Sequence, residues 1–251
     1  MKKAFTLSEV LLTLTIIGVV AMMTIPTLNN NVNDMHFKAA ARKTFVTLAD
    51  AMSMIALRGY VDSHVPADGN TDNIKAWYNT YLSPNLRVMK VCDDREKGCW
   101  HVDGNTYGLN GRKVYCSDTV GQIGGGVITA RLNDGSAINI DSYGKESIRK
   151  YFGVDIDTSA GIVVFFDVNG DKRPNKLGKD IFAAVYKDDT LVPAWSSMSV
   201  ENIDKNCSKK YNGGITDVIN GKSYSDFTNI AGYSCLNKML LEDMQTHNPN
   251  L

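Results

Sequence analysis

One segment constrains this chain more than any other. Phe5 to Leu28 reads FTLSEVLLTLTIIGVVAMMTIPTL, 24 residues with a single ionisable side chain, Glu9. As a helix it extends roughly 36 Å, enough to cross a hydrocarbon core of about 30 Å. The short leader Met1-Lys2-Lys3-Ala4 places two lysines before it. By the positive-inside rule they keep the N-terminus in the cytoplasm and put the rest of the chain outside. The mean hydropathy of the whole chain is only −0.19, so a multi-span membrane protein is excluded. Basic and acidic residues number 27 each. That balance argues against binding nucleic acid through bulk charge, and no basic stripe marks a nucleic-acid site.

Three readings of the first segment compete. A secretory signal peptide has a small-residue cut site after its apolar run, and Val19-Val20-Ala21 fits one, with a mature start at Met22. A plain signal anchor has no reason to hold a carboxylate near its start. The third reading begins from Glu9, because an acidic residue in a membrane segment costs on the order of 2–3 kcal/mol and marks function by default.

Ala4-Phe5-Thr6-Leu7-Ser8-Glu9 resembles the processing site of type IV prepilins and type II secretion pseudopilins. The resemblance covers about the first 30 residues. It implies that a prepilin peptidase cuts between Ala4 and Phe5, on the cytoplasmic side, and methylates the new N-terminus. Glu9 then stands fifth in the mature chain, where the family carries its glutamate. Ala4 departs from the glycine usual in that family. Gly18 and Pro26 sit where many pilins have a helix-loosening glycine and proline. The implied partners are other pilin or pseudopilin subunits, the peptidase, an inner-membrane assembly platform and the bilayer. Cutting removes Lys2 and Lys3, leaving 25 basic against 27 acidic side chains. One subunit's Glu9 can then meet a neighbour's terminal amine in low dielectric, where such a pair is strong only with both partners present. The bland alternative is a carboxylate snorkelling to the headgroups.

Beyond Asp34 a helical period returns. Phe37, Ala41, Phe45, Leu48, Met52 and Ile55 share one face, with Gly59 as the stop. Phe5 to Arg58 therefore reads as one helix, apolar all round and then one-sided. Residues 60–85 carry turn formers and read as irregular. Val127–Leu132 and Ala137–Ile140 around Asp134-Gly135 read as a hairpin. Ile162–Phe166 and Phe182–Tyr186 read as buried strands, and Cys235–Gln245 as a short helix. The expected organisation is a leader (1–4), an assembly and membrane helix (5–28), its amphipathic continuation (29–58) and an extracytoplasmic head (59–251). The fold class is α+β, and the resemblance implies the helix packed on an antiparallel sheet. At 251 residues the chain is longer than typical major subunits of the family, which points to a minor one.

The five cysteines form no CxxC pair. Export makes disulfides the expectation. Cys207 and Cys235 stand alone in the last quarter and are natural partners; many type IV pilins close a C-terminal loop in this way. Cys92, Cys99 and Cys116 offer a second pair, which we take as Cys92 with Cys99, and a buried thiol. Asp167-x-Asn169-x-Asp171 has the oxygen spacing that opens a calcium loop, although the twelfth place is Gly178 rather than Glu. The competing reading is a turn with Asx hydrogen bonds. No GxSxG, P-loop or HExxH is present, and Gly124-Gly125-Gly126 precedes a strand rather than a helix. The rival from another class is a membrane-anchored binding domain or hydrolase, which calls for a clustered acid pair or triad in the head.

Overall fold

The computed structural model describes residues 6–59, 65–66, 71–93, 96–101, 106–114, 127–219, 222–225 and 230–247. Ala4, Phe5, Cys116 and Gly124–Gly126 lie outside the described residues. The chain is α+β, with an apolar N-terminal helix and a six-stranded antiparallel sheet.

Helix α1 runs unbroken from Leu7 to Leu57, 51 residues. That is about 76 Å at 1.5 Å per residue. Pro26 lies inside it and has no amide to offer the carbonyl one turn back, yet the helix continues. At its end the chain turns at Gly59, whose φ of +80° suits a residue without a Cβ. The second half buries Ala41, Thr44, Leu48, Ala51, Met52 and Ile55, with Phe37 and Phe45 half-buried beside them.

The sheet is a meander of β1 (Val88–Cys92), β2 (Ile128–Leu132), β3 (Ala137–Gly144), β4 (Ala160–Asp167), β5 (Ile181–Lys187) and β6 (Thr190–Pro193), each pairing with the next. The β2–β3 turn is the expected Asn133-Asp134-Gly135. Asp134 Oδ1 accepts from the Ser136 amide and Gly135 takes a φ of +89°. Period-2 alternation feeds two cores. Ile138, Ile140, Ile162, Val164, Phe166, Phe182 and Ala184 face α1. Val163, Phe165, Ile181, Ala183 and Val185 face the opposite layer, with Phe152, Trp195 and Tyr233. This explains why β4 is buried along its whole length and shows no polar alternation in sequence.

Residues 71–85 correct the expectation of irregular structure. α2 (Thr71–Trp77) passes into a wider turn at Tyr78–Leu82 and a tight one at Ser83–Asn85. Ile74, Trp77, Tyr78 and Leu82 recur at three- and four-residue steps and pack into the α1-side core. The turn formers around Thr71 and Asp72 begin this helix rather than replace it. One turn of helix, α3 (Lys145–Ser147), follows β3. α4 (Val200–Asn206), the hairpin β7–β8 (Thr216–Ile219, Lys222–Ser225) and α5 (Cys235–His247) complete the head.

Ion pairs tie α1 to the head: Asp34–Lys179 at 3.2 Å, Lys38–Glu242 at 3.7 Å, Arg42–Asp243, and Lys43–Asp134 at 3.3 Å. Exposed pairs add little stability each. The fixing energy comes from the apolar stripe. Leu48→Ala should therefore lower unfolding free energy by about 2–5 kcal/mol in denaturant titration of the full chain in detergent, whereas Val46→Ala on the exposed face should change it by about 0.5 kcal/mol or less.

Candidate functional site

The segment Leu7–Ile25 is long and apolar enough to cross a membrane, and none of it is buried against the head. Its polar side chains turn inward on the helix's own backbone. Thr13 Oγ1 donates to Val10 O (2.9 Å), Thr15 to Leu11 O (2.8 Å) and Thr24 to Val20 O (2.9 Å). A hydroxyl satisfied in this manner has little need of water, which suits a hydrocarbon surrounding. Gly18 leaves open space at its Cβ position, a strip of bare backbone on the helix surface.

Glu9 belongs to a capping box. Thr6 is the N-cap, and its Oγ1 accepts from the Glu9 amide at 3.3 Å. The Glu9 carboxylate in turn accepts from the Thr6 amide at 2.9 Å and from Thr6 Oγ1 at 2.8 Å. Two orphan amides of the helix start are satisfied, and the negative charge lies at the positive end of the helix dipole. The Thr6-x-x-Glu9 spacing is the sequence signal for this arrangement; reading Glu9 only as a membrane carboxylate misses it.

The cysteines pair as Cys92–Cys99 and Cys207–Cys235. The first closes a loop directly after the edge strand β1. There Lys90 Nζ donates to Lys97 O, and the register with β2 shifts between Val88 and Lys90. A bulge and a covalent loop both hinder pairing of that edge with another strand. The second bridge spans 28 residues and stabilises by about 3–4 kcal/mol on the loop-entropy estimate. Gly178 packs against it with φ +78°, and a Cβ there would come within 2.6 Å of Cys235 Sγ.

The Asp167–Asp171 segment folds as an Asx turn. Asp167 Oδ1 accepts from the amides of Asn169 (3.1 Å) and Gly170 (3.0 Å). Asn169 Nδ2 donates to Asp180 Oδ2 at 3.3 Å, and Asp180 also accepts from the amides of Asn175 and Lys176. Asp171 turns outward to Arg131. The structure thus brings Asp167, Asn169 and Asp180 together and leaves Asp171 out. Among the described residues, no three His, Cys, Asp or Glu side chains are grouped to hold a metal. The calcium reading of Asp167, Asn169 and Asp171 gives way to the turn, because backbone amides and Arg131 already occupy the oxygens that an ion would need.

A second partner of Asp167 comes from far along the chain. His101 Nδ1 lies 3.5 Å from Asp167 Oδ2, and His101 Nε2 is 3.0 Å from Thr106 Oγ1. All three side chains are buried. Burial pushes the Asp167 pKa up to about 6, against the pull of the His101 hydrogen bond and with a push from the nearby charge of Asp180. Burial likewise raises Asp180. Asp167 and Asp180 are the acid pair that a hydrolase would call for, but both are fully buried beneath the turn they organise. A substrate cannot reach them in this arrangement.

No protein family, curated protein or solved structure matches the chain.

A carboxyl whose folded pKa lies above its unfolded value binds its proton more tightly in the folded state. Its contribution is therefore complete below about pH 4 and lost as pH rises through 6. Asp167→Asn removes that dependence while keeping an acceptor for the turn. Between pH 4 and pH 7 the unfolding free energy of the variant relative to wild type should rise by about 2–3 kcal/mol. Denaturant titration at both pH values measures it, and a difference that stays constant would show that Asp167 does not titrate there.

Proposed function

We propose that the chain is a pilin-like structural subunit, of a type IV pilus or of a type II secretion pseudopilus, matured by a prepilin peptidase and polymerised through α1. The observation that carries this reading is α1 itself. One uninterrupted helix is wholly unburied and apolar from Leu7 to Ile25, then lays a one-sided stripe on an antiparallel sheet. An anchor alone needs no rigid continuation into the head. A fibre subunit does, because its head must be carried in fixed relation to the packed helices.

In this reading the precursor waits in the inner membrane with its head on the extracytoplasmic side. After cleavage at Ala4–Phe5, the platform draws the chain into a pseudopilus or surface pilus, where it serves as a minor subunit. Gly18 gives neighbouring helices a close approach, as small residues do between membrane helices. Glu9 has two successive partners: its own N-cap in the lone chain, and the Phe5 amine of a neighbouring subunit in the fibre. Exchange between them costs little if the new charge pair forms in low dielectric. The buried acid pair lends no support to the hydrolase alternative, since it is sealed from solvent.

N-terminal mass spectrometry of membrane-extracted protein should give a methylated Phe5, whereas a start at Met22 would identify a secretory signal peptide. Glu9→Ala should still insert into the membrane but fall at least about tenfold in sheared fibres, since a lone carboxylate is worth most where its partner shares low dielectric. Wild-type incorporation would remove Glu9 from assembly.

A further inference from the structure

We propose that the end of the head from which α1 emerges docks on anionic phospholipid headgroups of the adjoining leaflet. The proposal rests on the reading of Leu7–Ile25 as a membrane span. It goes beyond subunit assembly, because it concerns the chain before it enters any fibre.

The first argument is height. α1 is continuous, so distance along it follows from residue count. Asp34, which holds Lys179, stands nine residues past Ile25, or about 14 Å at 1.5 Å per residue. The headgroup zone is about 5–8 Å thick on each side of the hydrocarbon core. A lysine side chain and a Debye length of about 8 Å close the remaining gap.

The second argument is charge segregation. The chain as a whole carries equal numbers of basic and acidic residues. At this end the balance is broken. A groove of about 230 Å³ between α1, α5 and the turn before β5 is rimmed by Lys38, Lys179, Lys209 and Lys238. The loop between β4 and β5 adds Lys172 and Arg173, both exposed, and Lys176. Against these seven stand four acids, Asp34, Asp171, Asp204 and Glu242. One turn higher on α1 the cations Arg42 and Lys43 are matched by Asp243 and Asp134, so the excess is confined to the membrane side.

The third argument is chemical fit. The groove is floored by Phe37, Phe182, Leu109 and Met239 beneath its lysine rim. An apolar floor under cations suits a phosphate carried on a glycerol backbone better than a bare ion. The pairs Lys38–Glu242, Lys179–Asp34 and Lys238–Asp204 are at least partly exposed to water, where such pairs are weak enough to yield to a phosphate. Lys209 and Lys172 have no ion-pair partner among the described residues.

The test uses the full chain in vesicles of phosphatidylcholine alone and of phosphatidylcholine with about 30% phosphatidylglycerol, an anionic surface that attracts juxtamembrane lysines. Hydrogen exchange is followed in peptides covering residues 168–180 and 207–211. Docking slows their exchange by roughly tenfold in the anionic vesicles only, and raising salt to about 0.5 M removes the difference. The double variant Lys172→Glu/Lys209→Glu, which breaks no ion pair described above, should float with the vesicles and lose the lipid-dependent protection. Equal exchange in both lipids, with the chain floating, overturns the docking but leaves the span intact. Failure to float overturns the span and the docking with it. Protection that follows protein density rather than lipid charge assigns this surface to a second copy and also overturns the proposal.

Discussion

A helix that passes through two surroundings without interruption is the constraint from which the rest of the structure follows. Over Leu7–Ile25, α1 presents apolar side chains in every direction and has no protein against it. Over its second half it must present only one apolar face, because the other face meets water. Backbone hydrogen bonding is satisfied inside the helix throughout, so the change of surroundings needs no break in the rod. The head is consequently held at a set height and rotation relative to the span.

That requirement shapes the head. The stripe from Ala41 to Ile55 needs a broad apolar surface, and the α1-facing side of β2–β6 supplies it. The opposite side of the sheet is then covered by a loop-rich layer built on Phe152, Trp195 and Tyr233. A sheet buried on both faces leaves its edges as the exposed weakness. On β1 that weakness is managed by a register shift and the Cys92–Cys99 loop. The Cys207–Cys235 bridge fastens α5 to the end of α4, beside the groove where α1 leaves the head.

The polar interior shows how far local pattern can be trusted. Asp167-x-Asn169-x-Asp171 admits both an ion and a turn, because oxygen atoms at alternate positions serve either. The choice was made by residues remote in sequence. Arg131 draws Asp171 outward, Asp180 receives Asn169, and His101 takes the second oxygen of Asp167. None of these partners is visible from the spacing. The capping box is the opposite case, since Thr6-x-x-Glu9 is a local signal with a local outcome. α2 lies between the two: its stripe of Ile74, Trp77, Tyr78 and Leu82 was legible, but it was hidden among neighbouring turn formers.

By itself the sequence determined whatever depends on periodicity and solvent preference. The apolar run fixes a membrane-compatible helix, the 3.6-residue stripe extends it, and Asp134-Gly135 with its flanking strands fixes a hairpin. The isolation of Cys207 and Cys235 made them partners before any contact was known. These features need only neighbours along the chain, so short-range chemistry suffices. The tertiary structure alone decided the pairing of six strands in sequential order and the closure of His101 over Asp167. It also decided the gathering of Lys38, Lys179, Lys209 and Lys238 at one end of the head. Each of those unites residues separated by tens to about two hundred positions. Their proximity is set by which faces must be buried together, and that is a property of the packed chain rather than of any segment in it.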